Sequence, residues 1–124
     1  GLIDAVTESG DGRIVGRVRG SIRRPDLTTR LIGFENHAGR TWVGPGATPL
    51  ARVARGRGNN GTDRTEGAVQ GRVVGTYLHG PVLALNPAFA DWLLALALGR
   101  ERVDPLDDEA ERHARAAWPR GRKR

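Results

Sequence analysis

One segment of this chain commits to its structure without help from the rest. Asn86 followed by Pro87 opens a helix, because the fixed φ of proline suits the first helical position, where its missing N–H is not needed. Gly99 closes it, because glycine adopts the left-handed cap at little cost. Between them Phe89, Leu93 and Leu96 recur at helical spacing. Trp92, Leu94 and Leu98 widen the apolar surface until only Asp91 is plainly polar, so the helix is expected to be buried on most sides. A second helix is expected from Asp107 or Asp108 to about Trp118, with acids in its first turn and Arg112 and Arg115 later, as the helix dipole favours.

Everything before Asn86 reads as glycine-punctuated strand. Ile14 to Val18 alternates apolar with small or charged residues, as a half-buried strand does, and Gly10-Asp11-Gly12 supplies a turn before it. Arg30 to Phe34 is a second strand, separated from the first by a connection at Arg24-Pro25-Asp26. Another extended piece ends in a turn at Trp42-Val43-Gly44-Pro45-Gly46, and Leu50 to Ala54 resumes it. Gly58-Asn59-Asn60-Gly61 is a hairpin signal, since asparagine and glycine both accept positive φ cheaply. The stretch from Gly67 to Tyr77 reads as paired or bent strand that places His79 at a strand end. Strands first and two helices last point to an α/β domain entered partway through.

At 124 residues the chain has room for one modest core, so we expect one domain over residues 1–118 and a solvated basic tail over 119–124. The first residue is glycine, and the start, with no basic n-region and no long h-region, reads as cut from a longer chain. The longest apolar run, Trp92 to Leu98, falls far short of the roughly 18 residues of a spanning helix. There is no cysteine, which removes disulfides and thiol chemistry from these residues. A formal charge of +6 permits attraction to polyanions. However, the basic residues are nearly all arginine, as in a proteome rich in G and C bases, and no aromatic residues interleave with them as a stacking platform requires. No nucleic-acid partner is therefore expected.

Three histidines are the titratable candidates. His113 lies among charged residues of the second helix and reads as solvated. His37 sits in Phe34-Glu35-Asn36-His37-Ala38-Gly39-Arg40, a setting for a polar network. His79 ranks first, because it ends an apolar run before Gly80-Pro81, and α/β folds present reactive groups at strand ends. An imidazole there can act as general base to a thiol or a water. The serines, Ser9 and Ser21, lie in no nucleophile elbow, and the single lysine, Lys123, fits no phosphate loop. No spacing suggests a metal site, and no cofactor is expected in this chain.

Three runs then stand in order: Gly33-Phe34-Glu35-Asn36-His37-Ala38-Gly39-Arg40-Thr41; Gly58-Asn59-Asn60-Gly61 with Asp63 and Glu66-Gly67; and Gly75-Thr76-Tyr77-Leu78-His79-Gly80-Pro81 followed by Asn86-Pro87 and Ala90-Asp91-Trp92-Leu93. Together they resemble the glutaminase subunits of lipid II isoglutaminyl synthases, within the cobyric-acid-synthase-like (CobB/CobQ-like) class I glutamine amidotransferases. The resemblance implies the C-terminal part of a flavodoxin-like amidotransferase domain. It implies His79 as the catalytic histidine that activates a cysteine, and Arg13 as a contact for the carboxylate of the glutamine substrate. That cysteine and its half of the sheet would lie upstream of Gly1, so the chain alone is expected to be inactive. The resemblance also implies a cytoplasmic heterodimer with a Mur-ligase-like (MurT-type) subunit that uses ATP to activate the D-glutamate of lipid II. A corrinoid amidotransferase, a degenerate non-catalytic scaffold and an arginine-rich polyanion binder are the rival readings.

Overall fold

The computed structural model describes residues 1–118; the expected basic tail at 119–124 lies outside the described residues. Its centre is one long hairpin. β1 (Ala5–Arg24) and β2 (Leu27–Val43) pair antiparallel along nearly their whole length, turning at Pro25-Asp26. β3 (Ala51–Arg55) pairs with β1, and the short β4 (Thr65–Glu66) pairs with β3. On the other side, β7 (Leu78–His79) pairs with β2, giving the order β4-β3-β1-β2-β7. β5 (Ala68–Gln70) and β6 (Val73–Gly75) form a separate two-stranded hairpin. α1 (Pro87–Leu98) and α2 (Glu109–Ala117) follow.

The sheet has two unlike faces. Leu31, Gly33, Glu35 and His37 are buried and alternate with the partly exposed Ile32, Phe34 and Asn36, while Ile14, Val18 and Ile22 are the buried set of β1. The inner face meets α1 through Phe89 and Trp92 and forms the core with Leu50, Val53, Val69 and Leu78. The hairpin tip is tied to the same helix. The Trp92 indole donates to Asp26 Oδ2 at 2.7 Å, and Arg24 lies 3.5 Å from Asp26 Oδ1 and 5.6 Å from the Trp92 ring centre. The Trp92 hydrogen bond chiefly holds the Asp26 carboxyl below its usual range, outweighing the opposing effect of burial with help from the Asp26 backbone and Arg24.

The expected order of strands and then two helices holds, and all strand pairings among the described residues are antiparallel. Several expectations are corrected. The supposed turn at Gly10-Asp11-Gly12 lies inside β1, whose register shifts between Ser9 and Ile14 so that residues 10–13 bulge from the ladder. α1 is buried on one side only. Leu94 and Leu98 are 52% and 61% exposed, because the sheet covers the face of Phe89, Trp92 and Ala95 and nothing described covers the other.

Asn86 stands at the N-cap position but makes no side-chain cap. Its amide instead pairs with the free edge of β2, donating to Ile32 O (2.7 Å) and Val82 O (2.6 Å) and accepting from Ile32 N–H (3.0 Å). Gly58-Asn59-Asn60-Gly61 lies in the connection of the antiparallel β3–β4 hairpin, as expected, but its asparagines do not take the positive φ. The positive φ values fall on Gly56, Gly58, Gly61 and Arg64, and the asparagines are buried for their amides. Asn59 donates to Thr65 Oγ1 and Gly67 O and accepts from Gly67 N–H, while Asn60 donates to Thr41 O and Asp63 Oδ2. Burial alone would raise the Asp63 pKa, but hydrogen bonds from Thr65 and Asn60 outweigh it and lower the carboxyl.

Candidate functional site

His79 projects from the outer face. Its register partner is Phe34, whose own partner across the hairpin is Arg17, so His79, Phe34 and Arg17 form one row across β7, β2 and β1. The imidazole is exposed, and its Nε2 lies 3.1 Å from the main-chain oxygen of Asn36. A carbonyl can only accept, so Nε2 carries the proton, and in the neutral ring Nδ1 holds the lone pair.

Asn36 also faces the bulge. Its side-chain Oδ1 accepts from Arg13 Nε at 2.6 Å. Arg13 and His79, far apart in sequence, are thus joined through one residue of β2. With Nε engaged, the two terminal nitrogens of Arg13 have no partner among the described residues and form an exposed fork suited to a carboxylate.

The bulge that carries Arg13 is held from below by Arg40, whose guanidinium donates to the carbonyls of Ala38 (2.9 Å), Gly39 (3.2 Å), Asp11 (3.3 Å) and Gly12 (3.1 Å). A Cβ at Gly10 would lie 2.5 Å from the Arg40 guanidinium carbon, so a side chain there would displace Arg40 from the bulge.

The segment leading into His79 is anchored from inside. Glu66 is fully buried, and its Oε1 accepts from Thr76 Oγ1 (2.7 Å) and Tyr77 N–H (2.8 Å), while Thr76 Oγ1 in turn accepts from Leu78 N–H (3.0 Å). Burial raises the Glu66 pKa to about 7, against the pull of the Thr76 and Tyr77 hydrogen bonds and with a further push from the Glu35 carboxylate. Glu35 is itself satisfied by the N–H groups of Arg57 and Gly58, both at 2.8 Å.

His37 is the polar-network residue expected of it. It is buried, its Nδ1 lies 2.9 Å from Gly39 O, and its ring stacks on Tyr77 with centres 3.9 Å apart. Tyr77 continues the network through Thr41 to Thr7. His113 is exposed. Among the described residues no three His, Asp or Glu side chains gather to hold a metal, and no helix is long and apolar enough to cross a membrane.

Sequence reasoning assigned no role to Arg40 or Glu66. Arg40 had no signal of its own beyond its place in the first motif, Gly33 to Thr41. Glu66 stood only as a member of the second motif, with nothing to mark it as buried.

Comparison with known proteins shows the family of the chain. Residues 1–87 match the model of the CobB/CobQ-like glutamine amidotransferase domain. The chain is 39% identical over 119 residues to the lipid II isoglutaminyl synthase (glutamine-hydrolyzing) subunit GatD of Staphylococcus aureus strain N315, covering 93% of this chain and 47% of that protein. It is 36% identical over 91 residues to the GatD subunit of Streptococcus pneumoniae strain R6, covering 73% of this chain and 34% of that protein. A probable cobyric acid synthase of Methanothermobacter thermautotrophicus is 34% identical over 113 residues, covering 86% of this chain and 22% of that protein. The chain thus spans about half the length of the first of these relatives and less of the others. With the family model matched along most of its length, the chain belongs to the CobB/CobQ-like glutamine amidotransferase domain family.

Proposed function

We propose that this chain is the histidine-bearing part of a glutamine amidotransferase that releases ammonia from glutamine for the amidation of lipid II. The observation that carries the reading is the Arg13–Asn36–His79 chain of contacts, which brings a carboxylate-binding fork and an imidazole to one edge of one sheet face. The names of the GatD relatives support the acceptor.

In this reading a cysteine thiol supplied by residues outside these 124 attacks the side-chain amide carbon of glutamine. His79 takes the thiol proton and gives it to the departing ammonia, and water then hydrolyses the glutamyl thioester with the same imidazole as base. Arg13 grips the α-carboxylate of the glutamine. The remaining residues complete a flavodoxin-like domain, and the exposed flank of α1 at Leu94 and Leu98 packs against them. A Mur-ligase-like (MurT-type) partner subunit in the cytoplasm binds ATP and receives the ammonia. The cobyric acid synthase relative supports a second acceptor, a corrinoid carboxylate.

The test is glutamine hydrolysis by a protein in which a thiol-bearing segment precedes this chain, followed by amidation with each acceptor. Glutamate release, with amide appearing on lipid II, is the expected result. Amide on the corrinoid alone selects the second acceptor, and no glutamate release rejects the enzymatic reading.

A further inference from the structure

The same outer face carries a second feature that glutamine chemistry does not use. Beside the row of His79, Phe34 and Arg17 lies the row of Ile32 and Arg19, and beyond it that of Arg30 and Ser21. At about 3.3 Å per residue the rows are roughly 7 Å apart. Over them lies α2, and between sheet and helix is a hollow of ≈ 360 Å³ lined by Arg19 and Arg30 from the sheet and Arg112, Arg115 and Trp118 from the helix segment. No aspartate or glutamate lines it.

Four guanidinium groups around one hollow repel each other unless an anion joins them. Arg115 shows the effect: burial first, and then the charge of Arg30, lower its pKa. Arg112 reaches Asp107 only at 4.0 Å, with both side chains largely in solvent, a contact of little weight. Arg115 is nonetheless fixed in place, donating to Leu85 O (2.7 Å), Asn86 Oδ1 (2.8 Å) and Arg30 O (3.1 Å). Arg17 lies 5.9 Å from the Trp118 ring centre and braces that wall. Arg115 is therefore ordered before any ligand arrives, which lowers the entropy lost on binding.

We propose that this hollow binds the diphosphate group of a small molecule. Guanidinium forks match phosphate oxygens in pairs, and two linked phosphates present enough oxygens to engage arginines on both walls. The volume lies at the lower end of the range of small-ligand sites, about 300–1,000 Å³. A duplex would need a continuous basic stripe instead of a concave pocket. Nothing in the proposal depends on a thiol being present.

The experiment is calorimetric titration of the full chain with inorganic diphosphate at fixed ionic strength, with ADP and farnesyl diphosphate in parallel. Saturable binding is expected. Arg19→Ala and Arg112→Ala should each weaken it about fivefold or more, while Arg100→Ala, whose side chain does not line the hollow, should leave it unchanged. Arg115 is left intact because it also holds α2 to the sheet, and thermal melting of each variant shows that it has folded. Tighter binding of ADP assigns the diphosphate to a nucleotide, tighter binding of farnesyl diphosphate assigns it to a prenyl lipid carrier, and equal affinities assign recognition to the diphosphate alone. Absence of saturable binding overturns the proposal. So does binding that Arg19→Ala and Arg112→Ala leave intact, as when residues 119–124 carry it, or that Arg100→Ala weakens equally.

Discussion

His79 Nε2 donates to the main-chain oxygen of Asn36 across 3.1 Å. The bond comes from the backbone, so it survives any substitution at Asn36, whereas the contact to Arg13 comes from the Asn36 side chain. In a thiol-containing form of the protein, Asn36→Ala is therefore expected to raise the KM for glutamine about tenfold, the loss of one charge-assisted hydrogen bond, while kcat changes little. Steady-state glutaminase kinetics check this. An equal fall in kcat with KM unchanged would show that Asn36 acts on His79 and not on Arg13.

Glu66 gives a pH signature. Its carboxyl titrates near 7 in the folded chain and near 4.5 when unfolded, so between these values the folded state holds the extra proton. Stability from this group then falls as pH rises, and is fully restored only below about 4.5. Glu66→Gln keeps an acceptor for Thr76 and Tyr77 without the charge. Its stability relative to the parent should rise by roughly 3 kcal/mol between pH 4.5 and 8. Urea unfolding at the two pH values measures it, and parallel stabilities would refute the buried charge.

The buried amides set a second stability test. Asn59→Ala strands the Gly67 N–H that its Oδ1 accepts, and Asn86→Ala strands both the N–H and the carbonyl of Ile32. Each should cost about 2–4 kcal/mol, as expected when buried backbone groups lose their partners. Chemical denaturation checks both, and losses under about 0.5 kcal/mol would mean that water replaces the amides.

Arg40 makes a more local claim. Arg40→Ala should free the bulge at residues 10–13, so amide exchange there speeds up while the core of β1 at Val18 and Ile22 stays protected. Hydrogen exchange by NMR resolves the two regions. Uniform loss of protection would show that Arg40 supports the whole hairpin.

What could be read from the sequence follows the range of the forces involved. The bounds of α1 were legible because Pro87 and Gly99 act on their own backbone, and His79 fell at the end of β7 as its flanking residues indicated. Asn86 and Asn59 stand where expected, at a helix start and in a hairpin connection, but their side chains do other work. Propensity knows asparagine as a cap or turn residue, whereas here Asn86 serves a strand 54 residues away. The glycines at 10 and 12 were read as a turn because a bulge and a turn make the same local demand; only the register of β2 tells them apart. The burial of Glu66 was invisible, since a carboxylate usually marks a solvated position. Arg13 and His79 meet through Asn36, a relationship only the paired strands reveal.

The most direct test of the account concerns His79 itself. In the thiol-containing protein, glutamine turnover by His79→Ala should fall by about 10²–10⁴-fold, the usual contribution of a positioned general base, and added imidazole should restore part of it. Turnover within about threefold of the parent, well below what a general base contributes, would contradict the assignment of His79 and with it the proposed role of this chain.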